Sequence, residues 1–94
     1  MYTDTKKLEV LKAVASLGSI SRAAERMGYS QPGLTGMLNR LEDEIGFPLL
    51  ERGSSGVVLT ARGRELMPAI DRVLNSYSDF EKAVNEVRHN GEDV

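Results

Sequence analysis

The stretch from Ser21 to Gly46 constrains this chain most, because two amphipathic segments stand only two or three residues apart around Gly28. In "SRAAERMG", Ser21 can cap a short helix, Ala23, Ala24 and Met27 share its inward face, and Gly28 stops it. Ile20 stands just before that cap, positioned to pack back onto the domain. In "SQPGLTGMLNRLEDEIG", Ser30 is the cap and Pro32 falls in the first turn, where a missing N–H costs nothing. Leu34, Leu38, Leu41 and Ile45 then recur at spacings of four, three and four before Gly46. Two helices joined by so short a glycine turn predict a helix-turn-helix. The leucine stripe leaves Pro32, Gly36, Asn39, Arg40 and Asp43 on or near the opposite face, with Thr35 at its edge. Glycine weakens a helix interior by about 1 kcal/mol relative to alanine. Gly36 therefore reads as a flat spot on an outward face, and Gly33 as a product of tight packing or capping.

The flanking segments complete one small domain. "TKKLEVLKAVASLG" places Leu8, Leu11, Val14 and Ala15 on one face of a helix that Gly18 can stop. After Pro48, "LLERGSSGVVLT" has two short apolar pieces around a glycine-rich turn, the pattern of a β-hairpin, and a hairpin directly after a helix-turn-helix is a wing. Thr60 then caps a long helix whose Leu66, Ile70, Val73, Tyr77, Phe80, Val84 and Val87 alternate by four and three. Pro68 should bend or loosen that helix without ending it. The expected fold is mainly α: a winged helix-turn-helix of three helices plus a hairpin over residues 1–59, a linker and dimerisation helix over 60–89, and a flexible tail over 90–94.

Composition narrows the chemistry. There is no cysteine, and the single histidine, His89, lies in the polar run "RHNGEDV", so no disulfide, thiolate nucleophile or histidine–cysteine metal site can be assembled. No apolar run approaches the ~20 residues that span a bilayer, and the first residues lack a signal-peptide pattern, so the chain reads as soluble and cytoplasmic. "EDE" at 42–44 has no histidine near it and points in several directions along a helix, so it reads as a solvated face; no catalytic or metal residues, and no cofactor, are expected. The net charge of −2 is divided, with eight Lys/Arg against seven Asp/Glu in residues 1–63 and four against seven in 64–94. Any nucleic-acid binding must therefore rest on a local patch.

From Ser19 to Gly63 the elements "AAERM", "SQP", "LEDEIGFPLLER" and "LTARG" occur in order and without gaps, and together they closely resemble the N-terminal winged helix-turn-helix domain of LysR-type transcriptional regulators. The resemblance extends into both flanking helices. It implies a recognition helix in the major groove of double-stranded DNA, a wing toward the minor groove, and a linker helix that pairs antiparallel with its twin. Such regulators continue into a much larger effector-binding domain, which lies outside these residues. The chain thus reads as either an isolated DNA-binding fragment, the favoured reading, or an unusual stand-alone protein, and any small-molecule effector would act only through that further domain.

The candidate DNA-binding residues follow from both readings. Gln31 can make a bidentate contact to adenine, Thr35 can touch a thymine methyl, and Arg40 can reach a phosphate. Ser30 and Pro32 share the helix start, whose N–H groups and dipole suit a phosphate. By resemblance Gln31, Pro32, Thr35, Gly36 and Met37 meet base edges, although Gly36 and Met37 stand where larger polar residues are common in the family. Arg52 matches the family's wing arginine, for the minor groove or its phosphates. Ser54 and Ser55 offer hydroxyls in a turn that has no basic residue, and Arg22 is a further phosphate candidate. Arg52 pairing with Glu51 is the alternative at that position. The long seam, with Leu74 beside it, exceeds what a three-helix domain can bury, so self-association through Leu66, Ile70, Val73, Leu74, Tyr77, Phe80, Val84 and Val87 is expected. It would match a DNA site with two-fold symmetry. The depleted wing and negative charge keep a second reading open, a winged-helix protein-interaction module that does not bind DNA.

Overall fold

The computed structural model describes residues 3–92. They form α1 (Thr5–Leu17), α2 (Ile20–Met27), α3 (Gln31–Ile45), an antiparallel hairpin of β1 (Leu50–Gly53) and β2 (Gly56–Leu59), and α4 (Ala61–Glu92). This is the winged helix-turn-helix with a long final helix that the sequence implies. The end of each of the first three helices is chemically marked. Asp4, Ser19 and Ser30 accept the N–H of Lys7, Arg22 and Gly33, and Gly18, Gly28 and Gly46 close the helices at φ of 66°, 77° and 98°, the left-handed region where glycine carries no Cβ penalty. The cap of α2 is therefore Ser19, two residues earlier than Ser21, and Ile20 is the first residue of the helix. Gly18 ends α1 in a left-handed turn, which leaves Ser19 extended (φ −154°, ψ 126°) and ready to cap at once.

The core comprises Leu8, Val10, Leu11 and Val14 of α1, Ala23 and Ala24 of α2, Leu34, Leu38 and Leu41 of α3, Leu49, Val57 of β2 and Ile70 of α4. The alanines let α2 approach closely, while the leucine stripe of α3 is at most 1% exposed. Two ion pairs lace α1 to its neighbours: Lys7 Nζ lies 2.6 Å from Glu44 of α3, and Lys12 Nζ lies 2.9 Å from Asp71 of α4. Thr3 donates to the same Glu44 carboxylate. The hydrogen bond from Lys7 comes first among the causes that hold the Glu44 carboxyl below the usual carboxylate range, and partial desolvation opposes it. The "EDE" run is thus only partly a solvated face. Asp43 is exposed, but Glu44 ties α3 to α1, and Glu42 accepts backbone N–H groups from the start of the wing.

Thr60 caps α4, accepting the Gly63 N–H at 3.0 Å while its hydroxyl donates to the Pro48 carbonyl. The helix continues through Pro68 and past residue 89 to Glu92, because nothing in "HNGE" forces a stop; residues 93 and 94 of the expected tail lie outside the described residues. The helix has two characters. Ile70 is 3% exposed, and Leu66, Met67 and Leu74 pack against the core, so that part of the seam faces the chain's own domain. Ile70 is thus taken up by the chain's own core rather than by a pairing surface, while Leu66 and Leu74 are half-buried and keep part of their surface outward. Beyond Leu74 α4 projects away from the domain, giving the molecule extents of 58 × 26 × 20 Å. Among the described residues no helix is long and apolar enough to cross a membrane.

Candidate nucleic-acid interface

The α2–α3 turn is built by hydrogen bonds rather than by bulk. Gly28 donates back to the end of α2, Tyr29 N–H donates to the Ala24 carbonyl at 2.9 Å, and Ser30 then opens α3. Gln31 and Pro32 are exposed at the first two helical positions, and Thr35 is half-exposed one turn on. The leucine stripe on the far side locks their orientation. Gly33 serves the cap: a Cβ there would lie 2.9 Å from Ser30 Oγ, the atom that accepts its N–H. The helix start offers less to an anion than its dipole suggests. Pro32 has no N–H and that of Gly33 is taken by Ser30, so at most the Gln31 N–H remains among the first three.

Further along α3, the flat spot at Gly36 is real and is used. The guanidinium of Arg40 lies over it, 3.5 Å from where a Cβ would stand, as expected for a side chain that leans toward the helix N-terminus. Arg40 is exposed, whereas Met37 is half-buried and packs against the core, so Met37 presents only part of its side chain outward.

The wing is braced at both ends. At its root, Thr60 N–H donates to the Leu49 carbonyl. Near its tip, Val57 N–H donates to the Gly18 carbonyl at 3.1 Å, which joins β2 to the α1–α2 turn. Gly56, at φ 122°, permits that approach, since a Cβ there would stand 2.7 Å from the same carbonyl. In the ladder Arg52 faces Val57 and Glu51 faces Val58, so Arg52 and Glu51 project to opposite sides of the hairpin. Arg52 enters none of the ion pairs among the described residues, and with Ser54 and Ser55 it is exposed at the outer end of the wing.

Arg22 is exposed on α2 and lines an open depression with Leu17, Glu25 and Arg26. Arg26 completes the patch, one turn from Arg22. The i, i+4 spacing of two arginines is the signal that would have found it. These groups do not meet in one pocket. They stand on separate elements, α2, α3 and the wing, held by a shared core, an arrangement suited to an extended ligand rather than to catalysis on a small one.

On the remaining face, Val73, Tyr77, Phe80 and Val87 are 46%, 42%, 62% and 72% exposed along α4, with the rings of Tyr77 and Phe80 6.3 Å apart. At the other end of the same helix, Leu8, Ile45, Phe47, Leu66 and Val73 line an apolar groove of about 480 Å³.

Comparison with known proteins places this architecture. Residues 5–64 match the model of the "bacterial regulatory helix-turn-helix protein, lysR family". The chain is 35% identical over 79 residues to the HTH-type transcriptional regulator CbbR of Xanthobacter flavus, covering 84% of this chain and 24% of that protein. It is 36% identical over 88 residues to the RuBisCO operon transcriptional regulator of Allochromatium vinosum, covering 94% and 29%. The chain thus spans about a quarter of the length of such relatives. Among solved structures it is similar to the CbnR DBD–DNA complex, with a TM-score of 0.82 at 30% identity over 90% of this chain and 98% of that one. It is likewise similar to the BenM DBD complex with catB site 1 DNA, with a TM-score of 0.85 at 26% identity over 94% and 95%.

Proposed function

This chain belongs to the lysR family of bacterial regulatory helix-turn-helix proteins, and we propose that it is the DNA-reading part of a homodimeric transcription regulator that acts on double-stranded DNA in the cytoplasm. The observation that carries this reading is its likeness, over 90% of its length, to a domain solved on DNA, with Arg22, Gln31, Arg40 and Arg52 exposed and Thr35 half-exposed. In the proposed mechanism α3 enters the major groove. Gln31 and Thr35 meet base edges there, Pro32 and Gly36 allow close approach, and Arg40, with Arg22 and Ser30, holds phosphates. The wing follows the backbone into the minor groove with Arg52, Ser54 and Ser55. Residues 1–59 do the reading. Residues 60–89 join two copies through Val73, Tyr77, Phe80, Val84 and Val87, so that two recognition helices address a two-fold related site. We assign the chain no catalytic role.

Selection of bound sequences from a random duplex pool, followed by titration across salt, tests the proposal. Enrichment of a two-fold symmetric site and binding that weakens with salt are expected, with the dependence reduced in Arg52→Ala and Arg40→Ala. One observation favours a different reading: the wing turn carries no basic residue. Failure to enrich any duplex, together with a stable heteromeric partner, would promote a protein-interaction module instead.

A further inference from the structure

The chain leaves α3 at Gly46 and must turn into β1 within three residues, Phe47 to Leu49. Pro48 has no N–H to guide it. The next two N–H groups, of Leu49 and Leu50, both point back to one carboxylate oxygen: Glu42 Oε2 accepts them at 2.6 and 3.1 Å. Glu42 is on α3, one turn before its end, and is half-buried. The same few residues are gripped from α4, where Thr60 N–H donates to the Leu49 carbonyl and the Thr60 hydroxyl to that of Pro48. Leu49 itself is fully buried. The wing root is therefore a braced joint: Glu42 of the recognition helix makes the charge-assisted contact to the strand that enters the wing, while exposed Arg64 of α4 donates to the Leu59 carbonyl at 3.0 Å where the second strand leaves it. Such bonds are about twice as strong as neutral ones.

We propose that Glu42 is the positioning residue that sets the direction of the wing relative to α3, and so brings Arg52 to the minor groove when α3 is seated in the major groove. This rests on the DNA-binding reading above. Glu42 touches no DNA; it acts through Arg52. A substitution there should then remove the wing's contribution and leave that of α3.

The test is a double-mutant cycle on a duplex recovered by selection with the wild-type chain, comparing wild type, Glu42→Ala, Arg52→Ala and the double variant across salt. Arg52→Ala should lower the slope of log affinity against log salt by about one per protomer, so by about two for the proposed dimer. Glu42→Ala, which retains Arg52, should lower it equally and weaken binding about tenfold, with the double variant no weaker than Arg52→Ala alone. Glu42→Gln keeps a carbonyl oxygen able to accept both N–H groups and should recover most of the slope. General destabilisation changes the active fraction and not the slope. An unchanged slope in Glu42→Ala, or losses that multiply in the double variant, would overturn the proposal. Amide exchange in the free protein supplies a measurement independent of DNA and of whether Glu42→Ala folds. In Glu42→Gln the Leu49 and Leu50 amides should exchange faster than in wild type while those of α3 are unchanged, and unchanged exchange at both overturns the role of Glu42. Failure of the wild-type chain to bind any duplex would overturn the parent reading, and the exchange measurement would still decide whether Glu42 holds the wing root.

Discussion

Gly63→Ala is the most informative single perturbation of the fold. It adds one methyl group to the first turn of α4, where helix propensity alone favours alanine by up to ~1 kcal/mol. The site has no room for it. A Cβ at residue 63 would lie 2.5 Å from the Leu49 carbonyl oxygen, 3.3 Å from its carbon and 3.2 Å from Leu59 Cδ2. Two of those three atoms are backbone, so no side-chain rotation relieves the overlap; the start of α4 must move away from the wing root. Overpacking of this kind costs about 1–3 kcal/mol. The displacement also strains the Thr60 N–H bond to Leu49 and the Gly63 N–H bond to Thr60, each contributing roughly 1 kcal/mol. Set against the propensity gain, the net loss is about 2 kcal/mol. For a domain of this size that corresponds to a fall in Tm of roughly 8–16 °C. The assay is thermal unfolding followed by circular dichroism at one fixed protomer concentration, because association shifts Tm. Gly91→Ala is the internal control: it is the same substitution on the same helix, with nothing within 4 Å of the new methyl, and it should leave Tm unchanged or slightly raised. Equal responses at the two positions would refute the claim that close packing against Leu49 decides the sign.

Other expectations follow from the same contacts. Gly36→Ala places its methyl 3.5 Å from Arg40 Nη2, an ordinary contact, so it should raise stability by up to ~1 kcal/mol in denaturant titration while shifting Arg40 and altering the sequences recovered in selection. Phe80→Glu, at a side chain 62% exposed, should leave the domain folded but reduce the sedimentation coefficient toward that of a monomer; an unchanged dimer would remove Phe80 from the pairing surface. The Glu44 carboxyl titrates below its unfolded value, so its stabilisation is present above the ordinary carboxylate pKa and is lost as pH falls through the lowered one. Glu44→Gln should accordingly melt below wild type at neutral pH and converge with it in acid; a gap independent of pH would count against the Lys7 pairing. Leu38→Ala, at a residue 1% exposed, should cost about 2–5 kcal/mol in chemical unfolding.

The parts of this fold that were legible in its sequence are those set by local chemistry. The Ser30 cap, Pro32 in the first turn, the glycines that end three helices and the glycine-bounded hairpin turn all depend on residues a few positions apart. The α2 cap was misplaced because Ser19 and Ser21 both suit the role, and the choice depends on how the chain leaves Gly18. Glu42 and Glu44 were misread as solvated for a different reason. Their partners lie 7, 8, 37 and 41 residues away, and helix spacing holds no information about such pairs. The α4 seam mixes both cases. A heptad pattern marks a face that wants covering, and Ile70 and Phe80 fit it equally, but only the tertiary structure shows that the domain's own core covers the first. In the candidate interface, the exposure of Gln31, Thr35 and Arg52 was readable from amphipathicity, whereas the folding of Arg40 over Gly36 was not.

The outward half of α4 has a thermodynamic consequence. From residue 75 onward almost every side chain is exposed, and Val84 is only half-buried. Isolated helices shorter than about 12–15 residues are marginal in water, because nucleation is unfavourable and each added residue gains little. This half gains its nucleus from the packed first half, and in the proposed dimer its outer turns are covered by the second chain. Helix–coil equilibrium and association are then one linked process. The ellipticity at 222 nm becomes a measure of that assembly, and diluting the protein should unwind the far end of α4 before it disturbs the winged domain.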